Sequence, residues 1–207
     1  MRDPISEVGF GLPGGTPLAA SGVGAPLDHP VPLRPGDHVC HFFDDDTRRL
    51  AAMAAFVSGG LRRNRMVVYI THSLLPLAVE AGLAARGIDT EASVADGRLL
   101  IAAADQVLLA AGRPEPDLLT AAVSAWGAEA RAAGRAGLRL TADMAWAADA
   151  GFPPEAVAGH EARLAQIAAA DDATVLCQYD QRVFTATDLR VIAHHHLGPA
   201  DPTMVDG

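Results

Sequence analysis

Hydrophobic residues in this chain fall into short unbroken runs, separated by longer stretches in which they recur every three or four positions. The runs are "HVCHFF" (His38–Phe43), "MVVYIT" (Met66–Thr71), "RLLIAA" (Arg98–Ala103), "LRLTADM" (Leu138–Met144) and "TVLCQYD" (Thr174–Asp180). Each reads as a strand buried on both sides, which need not alternate polar and apolar residues. Helical patterns lie between them. After the first run, Leu50, Met53, Val57 and Leu61 share one helical face. Asp44, Asp45 and Asp46 fall at the start of that helix, where the dipole favours negative charge, and Gly59 and Gly60 loosen its end. "LLPLAVEAGLAARG" reads as a second helix, with Ser73 as its N-cap, Pro76 in its first turn and Gly87 at its close. A short helical piece, "DQVLLAAG", precedes the breaker "RPEP", and a longer helix then runs from Asp117 to Ala133. "PPEAVAGHEARLAQIAAA" and "TATDLRVIAHHH" complete the series. This alternation predicts an α/β domain: a parallel sheet with helices on both faces.

Residues 1–35 show neither period and are rich in glycine and proline, so they read as a flexible arm. The folded domain is expected over 36–196, followed by a C-terminal tail at 197–207. Half of the residues are hydrophobic, which excludes disorder over the whole length. The formal net charge is −9 and no basic stripe appears, so direct nucleic-acid binding and attachment to anionic membranes are not expected. All 16 basic residues are arginine. The first 20 residues lack a basic start followed by an apolar run, and the expected compartment is the cytoplasm. Two cysteines, Cys40 and Cys177, are too few for a disulfide scaffold and read as reduced, buried thiols.

Ligands of open parallel sheets bind beyond the carboxyl ends of the strands. The residues expected there are Asp44 after the first strand, Thr71, His72 and Ser73 after the second, and Asp105 after the third. The fourth delivers Asp143, Met144 and Trp146, and the fifth Gln178, Tyr179 and Asp180. A phosphate-binding loop at the first of these turns would need glycines and a lysine. No glycine lies between Phe43 and Leu50, and the chain has no lysine. Triphosphate binding is therefore not expected; Asp45 and Asp46 read as carboxylates satisfying a helix start.

His38 and Cys40 stand two apart on one strand and point the same way, while His41 points the other way. With Cys177 on a neighbouring strand, His38 and Cys40 could hold a metal ion, although no CxxC or HExxH motif accompanies them. The plainer reading is a buried thiol beside a hydrogen-bonded histidine. His160 joins the apolar stripe of Val157, Leu164 and Ile167, and Glu161 is expected on the helix flank, solvated or paired with an arginine such as Arg139. His194–His196 read as solvated helix-end imidazoles. No G-x-S-x-G elbow or ordered nucleophile–base pair appears, and Asp143 and Asp180 alone define no substrate.

"GDHVCHFFDDD", "GLRRNRMVVYIT", "GLRLTADMAWA", "GHEARLAQI" and "VLCQYDQRVF" occur in that order. Together they resemble the MEDS family, the sensory domain of methanogen and methylotroph proteins and of the dichloromethane-responsive regulator. The resemblance implies a RecA- or KaiC-like three-layer scaffold without a functional phosphate-binding loop. It also implies sensing of small hydrocarbon derivatives, with the signal passed to DNA-binding, kinase-like or anti-sigma partners. It departs at His160, where the glutamate-bearing helix of the family usually carries an aromatic. The expectation is a non-catalytic sensory domain with no cofactor, one small-molecule ligand, a regulatory protein partner in trans and homo-oligomerisation as an option. The candidate ligand-binding residues are His38, Cys40, Asp44, His72, Asp143, Trp146, Glu161, Gln178, Tyr179 and Asp180. The alternatives are a metal- or redox-linked sensor through His38, Cys40 and Cys177, and a degenerate enzyme on a nucleotide-binding fold.

Overall fold

The computed structural model describes residues 33–110 and 113–193. Most of the arm, the tail and His194–His196 lie outside the described residues. Five parallel strands, β1 (His38–Phe43), β2 (Met66–Thr71), β3 (Leu99–Ala103), β6 (Leu138–Asp143) and β7 (Thr174–Asp180), form one sheet in the order β1-β7-β6-β2-β3. The two-residue strands β4 (Leu109–Ala110) and β5 (Arg113–Pro114) form a small antiparallel hairpin outside it. The three interior strands, β7, β6 and β2, are buried at every position, as unbroken apolar runs require.

Helices cover both faces, giving the three-layer α/β architecture. On one side lie α1 (Asp46–Arg62), α2 (Pro76–Ala84) and the short α3 (Thr90–Ala95). Met53, Phe56, Val57, Val79 and Leu83 pack there against Val39, Val67, Tyr69 and Leu176. The other side carries α4 (Ala104–Leu108), α5 (Pro116–Ala132), α6 (Ala145–Asp149), α7 (Pro154–Ala170) and α8 (Ala186–Ala193). Leu108, Leu119, Trp146, Val157, Leu164 and Ile192 meet Val68, Leu140, Cys177 and Tyr179. The period-2 geometry of strands assigns every chemical group to a layer: Cys177 and Tyr179 face α7, while Gln178 between them faces α1.

Three local expectations need correction. The apolar stripe of α1 is rotated by about one residue: Arg49, Met53, Phe56, Val57 and Gly60 are buried, while Leu50 and Leu61 are only half-buried. Gly59 and Gly60 are helical and buried rather than a loosened end. A Cβ at Gly60 would lie 2.6 Å from Val67 Cγ2, so the helix approaches β2 more closely than a side chain permits. The N-cap of α2 is Leu75, with no side-chain cap, because Ser73 is used elsewhere. Asp45 does cap α1, accepting from the Arg48 N–H at 2.8 Å.

Candidate functional site

In the strand order β1-β7-β6-β2-β3, the chain leaves β2 toward β3 through α2 and α3, and leaves β6 toward β7 through α6 and α7 on the opposite face. The two connections diverge between β2 and β6, and this is the topological switch point where open α/β sheets bind ligands. Just above it lies a hollow of about 270 Å³, lined by His72, Ala104, Asp105, Leu108, Trp146, Asp149 and Ala150. Its wall is almost entirely apolar. At its rim, His72 Nε2 lies 2.8 Å from Asp149 Oδ2. Trp146 packs edge-on against Phe152 and His160, and its Nε1 has no hydrogen-bond partner.

Beneath the hollow, on the α1 side, the strand ends carry a polar network centred on a residue the sequence reading passed over. Arg49 is fully buried. Its guanidinium donates to Asp143 Oδ2 at 2.7 Å, Ser73 Oγ at 2.7 Å and Gln178 Oε1 at 2.6 Å. It also lies 4.6 Å from the centroid of the Phe43 ring. Asp143 further accepts from the N–H and hydroxyl of Ser73 and from the N–H of Ala145 and, at 3.3 Å, of His72. Gln178 donates to Thr141 Oγ1 at 2.7 Å. Burial pushes the Asp143 carboxyl up, but the Arg49 charge and the Ser73 and Ala145 hydrogen bonds outweigh it and hold it below the usual carboxylate range. The position beyond β1 where a phosphate loop would draw in an anion thus has its own cation, already neutralised by Asp143.

The expected single crevice is therefore several separate groups. Asp143 and Gln178 belong to the Arg49 network, and His72 and Trp146 to the hollow. Asp44 is exposed. Asp180 is clamped by Arg182, which reaches on to Asp46 at 3.0 Å; burial works against the Asp180 charge, but Arg182 prevails and lowers its pKa.

His38, Cys40, Glu161 and Tyr179 sit on the opposite face of the sheet, under α7. β1 pairs with β7 so that Cys40 stands beside Cys177, the adjacency the sequence required for shared chemistry. Both are free thiols. His38 Nε2 lies 2.8 Å from Glu161 Oε2 and 3.4 Å from Cys177 Sγ, and the Tyr179 hydroxyl donates to Glu161 Oε1. Glu161 is thus fully buried between His38 and Tyr179, not on a flank or paired with Arg139. Arg139 lies on the other face and donates to Phe56 O at 3.0 Å. Burial, followed by the Glu161 charge, pushes the Cys40 thiol up to about 12 and moves the Cys177 thiol and Tyr179 hydroxyl well above their ordinary values. These thiols are protonated and poorly nucleophilic.

Residues 37–197 match the family model for MEDS, the methanogen/methylotroph, DcmR sensory domain. The chain belongs to the MEDS family. No curated protein matches it. A sensory domain is what the family description names, and the match covers the whole of the sheet and its helices. Among the described residues, no helix is long and apolar enough to cross a membrane.

His160 is where this MEDS domain departs from the resemblance. It is buried, in edge contact with Trp146, and neither ring nitrogen has a hydrogen-bond partner. Burial lowers its pKa, so it sits as a neutral imidazole paying for two unmade hydrogen bonds. Replacing His160 with phenylalanine keeps the ring contact and removes both orphaned atoms. The expected result is a stabilisation of about 1–2 kcal/mol, read by urea unfolding at neutral pH. A loss of stability would mean that the imidazole makes a polar contact in solution.

Proposed function

We propose that this MEDS domain is a cytoplasmic, non-catalytic sensory module. It binds one small, partly apolar organic molecule in the switch-point hollow and signals to a separate regulatory protein. The observation that carries the reading is the hollow itself: a largely apolar space of about 270 Å³, walled in part by Trp146, at the place where this class of sheet takes ligands. His72 at the rim would orient a polar substituent, while Leu108, Ala104 and the Trp146 ring would take the apolar part. A RecA- or KaiC-like origin of the scaffold belongs to the same proposal. Its support is the acidic, glycine-free turn after β1, which suits a fold of that type that no longer holds phosphate.

The test is a thermal-shift panel of small neutral organic molecules, alongside native mass spectrometry of protein purified from its own source. A true ligand at about 100 times its Kd adds about 2.7 kcal/mol of stability. Ala150 is exposed at the rim, so Ala150→Phe should leave the unliganded Tm nearly unchanged, fill the hollow and abolish the shift. A shift that persists in Ala150→Phe, or the lack of any bound or stabilising molecule, would remove the hollow from the reading.

A further inference from the structure

Three donor side chains of different chemistry converge in the layer between α7 and the sheet. The imidazole of His38 on β1, the carboxylate of Glu161 on α7 and the thiol of Cys177 on β7 place one ligand atom each within 4.8 Å of one another. All three are buried. Zinc bonds of about 2.0–2.3 Å set the donors of a tetrahedral ion about 3.3–3.8 Å apart. The His38–Cys177 separation of 3.4 Å already matches, and the His38–Glu161 separation of 2.8 Å needs only a small opening.

From this convergence we propose that His38, Glu161 and Cys177 form a buried three-donor site for a single zinc-class divalent cation. The donor set is that of a borderline-soft metal: one sulfur, one imidazole nitrogen and one carboxylate oxygen. The charges also close. A thiolate and a carboxylate balance a doubly positive ion, and the imidazole stays neutral, so no net charge remains in the core. Metal binding releases the Cys177 proton to solvent. The Tyr179 hydroxyl, which donates to Glu161 Oε1, fixes the carboxylate as an outer-shell partner would. Cys40 stands beside Cys177 in the strand register but outside this group of three. The site differs from the sequence expectation in this respect, with Glu161 taking the place of Cys40. Because every donor is enclosed, the ion is taken up as the chain folds.

The test uses the full chain without an added histidine tag. Metal content is measured on protein purified from zinc-supplemented cells. The same protein is unfolded and refolded with one equivalent of Co²⁺ and its absorption spectrum recorded. The expected result is one zinc per chain and, with cobalt, a thiolate-to-metal charge-transfer band. Cys177→Ser should abolish the charge-transfer band and weaken cobalt binding by at least about 100-fold, more than the loss of an outer-shell partner costs. Cys40→Ala should keep the band. Substoichiometric zinc in the purified wild type overturns the proposal, even if refolding or the Cys177 variant fails. So does a charge-transfer band that survives Cys177→Ser, or one that disappears in Cys40→Ala. None of these readings depends on whether the hollow binds an organic molecule.

Discussion

Arg49→Ala is expected to destabilise the domain by about 3–5 kcal/mol, the usual cost of breaking a buried ion pair by removing one partner. For a domain of this size that lowers Tm by roughly 6–20 °C. The alanine variant keeps Asp143 buried and leaves it only the hydrogen bonds from Ser73, Ala145 and His72. The cost should depend on pH. In the wild type the Asp143 carboxyl is held below its unfolded value, so its contribution is present above the ordinary carboxylate range and is lost as pH falls through the lowered pKa. Without Arg49, burial dominates and the carboxyl shifts upward, so protonation relieves the penalty instead. The stability gap between wild type and Arg49→Ala should be widest near neutrality and narrow as pH falls to about 4 and below. Urea titrations at several pH values check this; a gap independent of pH would show that the guanidinium acts by packing and not by charge.

The second large effect is at Tyr179. Its ring packs against Phe184 at 5.2 Å and Phe42 at 6.1 Å between centroids, and its hydroxyl donates to Glu161. Tyr179→Ala should cost about 3–5 kcal/mol through lost burial and the cavity left behind. Tyr179→Phe removes only the hydroxyl and should cost about 1–2 kcal/mol, the loss of a hydrogen bond to a buried acceptor. Guanidinium unfolding of both variants separates the two contributions. A phenylalanine variant as stable as the wild type would mean that the hydroxyl adds nothing to the Glu161 site.

The five sheet strands were legible because each is a continuous apolar run, and a strand covered on both faces leaves that signature whatever its neighbours. The helices α3 and α6 were not, since five or six residues are too few to show a 3.6-residue period. The hairpin was hidden for the same reason: β4 falls within the helical-looking "DQVLLAAG", and β5 opens the "RPEP" breaker. The site was less legible than the fold. Arg48 and Arg49 are identical neighbours in "DDDTRRL", yet Arg48 is exposed and Arg49 buried. Nothing local separates them, because the partners of Arg49 lie 24, 94 and 129 residues further along the chain. One clue was available: Arg49 stands four residues before Met53 and seven before Phe56, on the face that turned out to be buried. Ser73 looked like a cap because the pattern Ser-x-x-Pro fits one, but a carboxylate at a neighbouring strand end claims both its N–H and its hydroxyl. Listing residues beyond the strand ends found the right chemistry but could not sort it by sheet face, and this is why one expected crevice became several groups.

Helix α7 presents His160 to Trp146 and the next residue, Glu161, to His38. Consecutive side chains leave a helix about 100° apart around its axis, fixed by the backbone. The wall of the hollow and the buried His–Glu–Cys cluster are thereby geared to one shaft. A displacement of the indole toward α7 would press on His160, one residue from the carboxylate that holds His38 and the Tyr179 hydroxyl.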